Sequence, residues 1–400
     1  MKIRFFTKPL VGHRHLRTIG KDNNHPARFY LKMEKRGKSE MDQAGLAVYR
    51  PVRLDRDYLA QKALDHFGKS HPGTSRTSSA SRKMLVLEEF TDSICSLEES
   101  LAIDNPAILI EHSCWAKVHL TALHFPKNHV YLVLEALGEV LKKELPLDFR
   151  KQAGAFITES LAALKNSSTD IPPSITADNP HADVARSFLA ALIAADQKEA
   201  GRVLGNAIRS GTPLKNISIH VLQPVLRETG RLWQLNKVSI AQEHFVTASV
   251  ETFMARLHDR VLPADEGEKG QRGMTVVAAS VGAELHDVGI RMVADFFLRD
   301  GWDTYYLGAN TPVQSILEAV QDRKADIITL STTMPRHLPD VQYLIRSLRG
   351  DRETARVKII VGGYPFRIVP DLWKQIGADA YAGDAEEAVV VASRLVPGRR

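Results

Sequence analysis

A chain of 400 residues, 44% hydrophobic with a net charge of +6, is long enough for two or three domains with ordinary cores, and no apolar run reaches the length a bilayer crossing requires. The N-terminus lacks the apolar segment of a secretory signal, so a cytoplasmic protein is expected. Two cysteines, Cys95 and Cys114, form no CxxC pair and no metal-ligand spacing, which leaves packing as their expected role.

Residues 1–83 hold 19 Lys and Arg against 7 Asp and Glu, so this leader carries +12 and the rest of the chain −6. It has little sustained periodicity and ends in the linker-like stretch from His71 to Ser81, which predicts disorder. Its charge suits nonspecific contact with nucleic-acid phosphates, but no helix-turn-helix is recognisable. Met84 follows directly, so the leader also reads as a dispensable or wrongly assigned extension.

Residues 84–168 predict a helical domain. Leu85, Leu87, Phe90, Ile94 and Leu97 recur at helical spacing, and further segments run over 108–123, 130–145 and 149–164. A Pro-containing linker, 169–180, leads into four helices over 181–263, at 183–196, 197–210, 214–235 and 241–261. Ser239 and Gln242 have capping-box spacing at the last of these. After a second linker, 264–272, residues 273–397 read as alternating strands and helices, an α/β unit with a parallel five-stranded sheet preceded by all-α units. Apolar runs at 275–280, 325–330 and 357–361 are its inner strands.

The chemistry concentrates at the strand ends. Glu284-Leu285-His286-Asp287-Val288-Gly289 follows the first run and opens a helix. Ligands of open parallel sheets bind outside the carboxyl ends of the strands, where His286 would stand. Imidazole suits borderline transition metals, and its second nitrogen usually donates to a carboxylate. Glu284 and Asp287 both compete for that role. Ser331-Thr332-Thr333 lies 45 residues on and Gly362-Gly363 lies 76 residues on, each closing a strand. Glycine there permits close approach of a long, flat substituent.

The ordered pattern E-x-H-x-x-G, S-x-T, G-G over residues 273–397 resembles the cobalamin-binding domain of methionine synthase, methylmalonyl-CoA mutase, corrinoid carriers and light-sensing regulators. The resemblance implies a flavodoxin- or Rossmann-like fold with His286 as lower cobalt ligand. It makes Ser331, Thr333, Gly362 and Gly363 the channel for the displaced nucleotide tail, beside Leu285, Val288 and Gly289. Glutamate replaces the family's commoner aspartate at 284. Upstream, Trp233 with Glu243 and His244 resembles the Trp-x9-Glu-His cap of CarH-type light-dependent repressors. That resemblance places Trp233 over the upper face, Glu243 on the adenosyl group, and His244 on cobalt after photolysis.

Taken together these expectations describe a light sensor, more sensor than enzyme, that reads cleavage of adenosylcobalamin's cobalt–carbon bond. Methylcobalamin and hydroxocobalamin are alternative forms, and a corrinoid methyl carrier of a methyltransferase system is the alternative function. His112, Cys114, Trp115, His119 and His124 are compatible with a bilin as second chromophore, as in photocobilins. A homo-oligomer or a signalling partner is expected, without sequence-specific DNA binding or a membrane.

Overall fold

Five helices lead the computed structural model, which describes residues 52–72, 79–258 and 272–397: α1 (Arg56–Ser70), α2 (Ala80–Ala102), α3 (Ala107–Ala122), α4 (His129–Glu144) and α5 (Leu147–Asn166). Asp55 and Ser79 cap α1 and α2 by accepting the Tyr58 and Arg82 N–H groups at 3.1 and 3.3 Å. Leu59, Phe90, Ile94, Leu97, Leu109, Val133 and Leu137 are fully buried between them.

The expectation of a featureless leader up to residue 83 needs correction at its C-terminal end. Leu59, Ala60, Ala63 and Phe67 form a buried stripe on α1, at a spacing that the surrounding basic residues obscure. Buried Glu98 fixes this helix to α2, its two oxygens accepting the Leu54 N–H and Arg56 Nε, both at 2.5 Å. Residues 1–51 and 73–78 lie outside the described residues.

The second unit is the expected four-helix bundle: α6 (Ala182–Ile193), α7 (Gln197–Arg209), α8 (Gln223–Gln234) and α9 (Ile240–His258). Both bonds of the capping box form, Gln242 N–H to Ser239 Oγ at 3.2 Å and Ser239 N–H to Gln242 Oε1 at 2.9 Å. A π-helical stretch, Ile217–Leu222, feeds α8. Gln223 N–H bonds five residues back to the Ser218 carbonyl, just before Pro224, which has no N–H to give. Phe188, Leu192, Val221, Val225, Val246 and Val250 make the bundle core, and Val288, Met292 and Phe296 of the next unit join it.

That unit is a five-stranded parallel sheet in the order β2-β1-β3-β4-β5, with β1 Thr275–Val281, β2 Asp303–Thr311, β3 Ile327–Ser331, β4 Lys358–Gly362 and β5 Ala380–Tyr381. Its inner strands are almost wholly buried, as a parallel sheet covered on both faces requires. The longer helices are α10 (Val288–Arg299), α11 (Val313–Asp322), α12 (Leu338–Gly350) and, last, α15 (Ala385–Leu395). Two short ones, α13 (Tyr364–Ile368) and α14 (Leu372–Gln375), follow β4. Chain order reverses between β1 and β3, so their carboxyl ends flank the switch point. The register aligns Ser280, Ser331 and Gly362 on one rung there. Among the described residues no helix is long and apolar enough to cross a membrane.

Candidate functional site

At the switch point the loop after β1 folds back through Glu284. This carboxylate is 1% exposed, and four donors share its two oxygens. Oε1 accepts from the His286 imidazole Nδ1 and from the His286 N–H at 3.1 Å. Oε2 accepts the Thr333 and Met334 N–H groups, both at 2.9 Å, tying the loop after β1 to the loop after β3. Burial by itself raises this carboxyl, but the His286 imidazole, the Met334 N–H and the nearby His337 outweigh it and hold the pKa at about 2.

Such a carboxylate accepts rather than donates, so Nδ1 turns its N–H toward Glu284 and Nε2 is the nitrogen left facing the crevice. Nε2 of His286 is buried with no hydrogen-bond partner in the protein. Asp287 is not the orienting acid. Its Oδ2 takes the Tyr306 hydroxyl at 3.3 Å, and its Oδ1 is buried without a partner.

His286 stands where two arms of one crevice meet, since it lines both. The smaller arm, about 190 Å³, runs between Val288 and Gly289 on one side and Ser331, Thr333, Gly362 and Gly363 on the other. A Cβ on Gly289 would meet nothing within 4 Å, so open space borders this wall of the arm. Gly363 has a second reason to be glycine. Its φ is +110° and a Cβ would lie 1.9 Å from the Thr332 carbonyl oxygen, while one on Gly362 would lie 2.9 Å from that of Ala382. Leu285 is partly buried and does not line either arm.

The larger arm, about 330 Å³, has a wall that the sequence did not announce. Asp92, Cys95, Ile108, Glu111, His112 and Trp115 of the N-terminal helices face Leu226, Gly230 and Gln234 of α8 and His286 of the sheet unit. Burial pushes the Asp92 carboxyl up to about 6 and the Cys95 thiol up to about 12. His112 bonds Glu89 at 3.2 Å, and although burial opposes it, Glu89 raises the imidazole pKa. Periodicity places these residues on helices but cannot say which packed face borders a ligand.

Trp233, Glu243 and His244 are not brought to this crevice. Trp233 is buried in a stack at the seam, 5.0 Å from the His119 ring and 5.8 Å from that of Trp115. His119 Nδ1 also bonds the Gln234 carbonyl at 3.1 Å, locking α3 to α8. Buried Glu243 pairs with His244 and accepts the Thr247 hydroxyl at 2.9 Å, within its own helix. Of the residues compatible with a bilin, His112 and Trp115 line the larger arm, His119 stacks on Trp115 at 5.0 Å without lining it, and Cys114 and His124 line neither arm.

A single imidazole cannot hold a free metal ion, so a metal taken by His286 must bring its own equatorial ligands. A bare, oriented Nε2 and, beyond it, a narrow slot bordered by Gly289, Gly362 and Gly363 fit a planar metal macrocycle with one long substituent. Cobalamin fits, His286 would ligate its cobalt from below, and the metal would supply an exchangeable upper position.

Two family models, both described as B12 binding domain, match residues 184–258 and 274–392, the bundle and the sheet unit. The chain belongs to this cobalamin-binding family, in which a helical cap precedes a Rossmann-like domain. Among its relatives, dimethylamine corrinoid protein 1 of Methanosarcina mazei is 30% identical over 176 residues, 44% of this chain and 76% of that protein. Dimethylamine corrinoid protein 3 of the same organism is 30% identical over 132 residues, 33% of this chain and 77% of that protein. The solved monomethylamine corrinoid protein of Methanosarcina barkeri covers 54% of this chain and 100% of its own at 19% identity, with a TM-score of 0.48. These named relatives are corrinoid proteins and not the CarH-type repressors that the Trp-x9-Glu-His spacing suggested.

Proposed function

We propose that this chain is a corrinoid carrier that holds cobalamin through His286 and offers an upper-face methyl group to a methyltransferase partner. The carrying observation is the Glu284–His286 pair, with its bare Nε2 at the join of the two arms. Relatives named as dimethylamine corrinoid proteins support the same reading. Residues suited to an adenosyl sensor give it no support, because Trp233 packs against His119 and Glu243 against Thr247.

A second reading, a cobalamin-dependent light sensor, rests on one feature. The N-terminal helices wall the larger arm, so a change at the upper face would reach them directly. Hydrodynamic radius separates the two. A carrier binds methylcobalamin at least as tightly as adenosylcobalamin, with an imidazole-ligated spectrum lost in His286→Ala, and green light leaves its radius unchanged. A reproducible light-driven change in radius with adenosylcobalamin would reinstate the sensor and reject the carrier.

A further inference from the structure

Two positive charges stand where the arms of the crevice join and are unused by the binding site described so far. Arg227, on α8, and Arg367, on the short helix α13, each line both arms and so stand with His286 at the join. They come from different units, one from the cap and one from the short helix that follows Gly362-Gly363 in the sheet unit. The neighbouring arginine of the larger arm is satisfied: Arg231 pairs with Glu228 at 2.6 Å. Neither Arg227 nor Arg367 has a carboxylate within ion-pair distance among the described residues. The acid that acts most on Arg227, Asp384, lines the smaller arm and is engaged in capping α15 through the Glu387 N–H at 2.9 Å, while Glu111 of the larger arm takes the Tyr364 hydroxyl.

Like charges facing one gap are unfavourable unless something negative lies between them. Although both side chains reach solvent at the mouth, surrounding protein and then the Arg367 charge hold Arg227 below the usual arginine range. The Arg367 guanidinium also lies over the Tyr364 ring, 4.9 Å from its centroid, which fixes its position at the mouth. Guanidinium forks match phosphate oxygens in geometry as well as in charge.

Resting on the corrinoid reading above, we propose that Arg227 and Arg367 bind the phosphodiester of cobalamin's nucleotide tail as it enters the slot lined by Ser331, Gly362 and Gly363, and so select complete cobalamins over tail-less corrinoids. The corrin ring's amide side chains are neutral, so this phosphodiester is the anion the molecule brings. The two arginines thereby clamp the cap and the sheet unit onto one ligand group.

The test is a spectral titration of the full chain with hydroxocobalamin and, separately, with diaquocobinamide, which lacks the nucleotide tail. Arg227→Gln with Arg367→Gln is expected to weaken cobalamin binding by about 10- to 100-fold and to change cobinamide binding less than about twofold, the loss of charge-assisted contacts to one ligand only. The doubly Lys-substituted protein, which keeps the charges, should recover part of the cobalamin affinity. Equal losses for both corrinoids, or no loss for either, would overturn the arginine assignment while leaving cobalamin binding intact. Wild-type protein that takes up neither corrinoid would overturn both readings.

Discussion

Glu284 shows how one side chain can orient an imidazole and pin a loop at once. Its Oε1 fixes the tautomer of His286, and its Oε2 pins the Thr333 and Met334 amides across the switch point. The folded pKa of about 2 lies below the ordinary 4.5, so the stability it contributes is fully present above pH 4.5 and is lost as pH falls toward 2. That shift corresponds to about 3 kcal/mol for a group so buried. In Glu284→Gln the apo protein should lose stability on the order of 3 kcal/mol at pH 7, and its unfolding free energy should flatten across the acid window. Urea melts at several pH values check this. An unchanged acid slope would mean that Glu284 is not the group anchoring the loop. Glutamate stands here in place of the family's commoner aspartate, and its one carboxylate reaches both loops.

At the scale of strands and helices, the glycines of the slot divide into two kinds, and substitution separates them. Gly363→Ala puts a Cβ against the Thr332 carbonyl at a positive φ, so the sheet edge must yield. A loss of more than about 3 kcal/mol is expected in thermal melts, with or without ligand. Gly289→Ala meets no protein atom within 4 Å. The fold should be unaffected, while spectral titration should find corrinoid affinity lowered about tenfold, as for one methyl overpacked against the ligand. Equal affinity in Gly289→Ala would mean that the ligand lies elsewhere. Glu284, His286, Ser331 and the paired glycines were legible because each motif is local and ends a strand whose apolar run is plain. The four cap helices were legible for the same reason, their stripes and the Ser239–Gln242 box being written within single segments. The stacking of Trp233 was not legible because its partners, Trp115 and His119, lie more than a hundred residues away in another unit. Arg227 and Arg367 carry no periodic signal, and only packing brings them together.

Across the whole molecule, three units meet at one crevice, and none of them encloses it alone. The N-terminal helices are joined to the others by the Tyr364 hydroxyl on Glu111, by Gln234 Nε2 on the Trp115 carbonyl at 3.1 Å, and by the Trp115–His119–Trp233 stack. Their core is continuous with one face of the sheet, through Val277, Ile328 and Ile359. A ligand in the larger arm would therefore touch α2 and α3 as well as α8 and the β1 and β3 loops. Binding stabilises whatever it touches, by about 4 kcal/mol when ligand exceeds its Kd a thousandfold. Hydrogen exchange with and without cobalamin should thus slow amides of Ala107–Ala122 and Gln223–Gln234 together with those around His286 and Thr333. Slowing confined to residues 272–397 would mean that the helical wall stands apart from the bound ligand. In that case the upper face is open to the proposed methyltransferase without movement of the N-terminal unit. Slowing in all three units would instead require that unit to swing away before a partner protein can reach the cobalt.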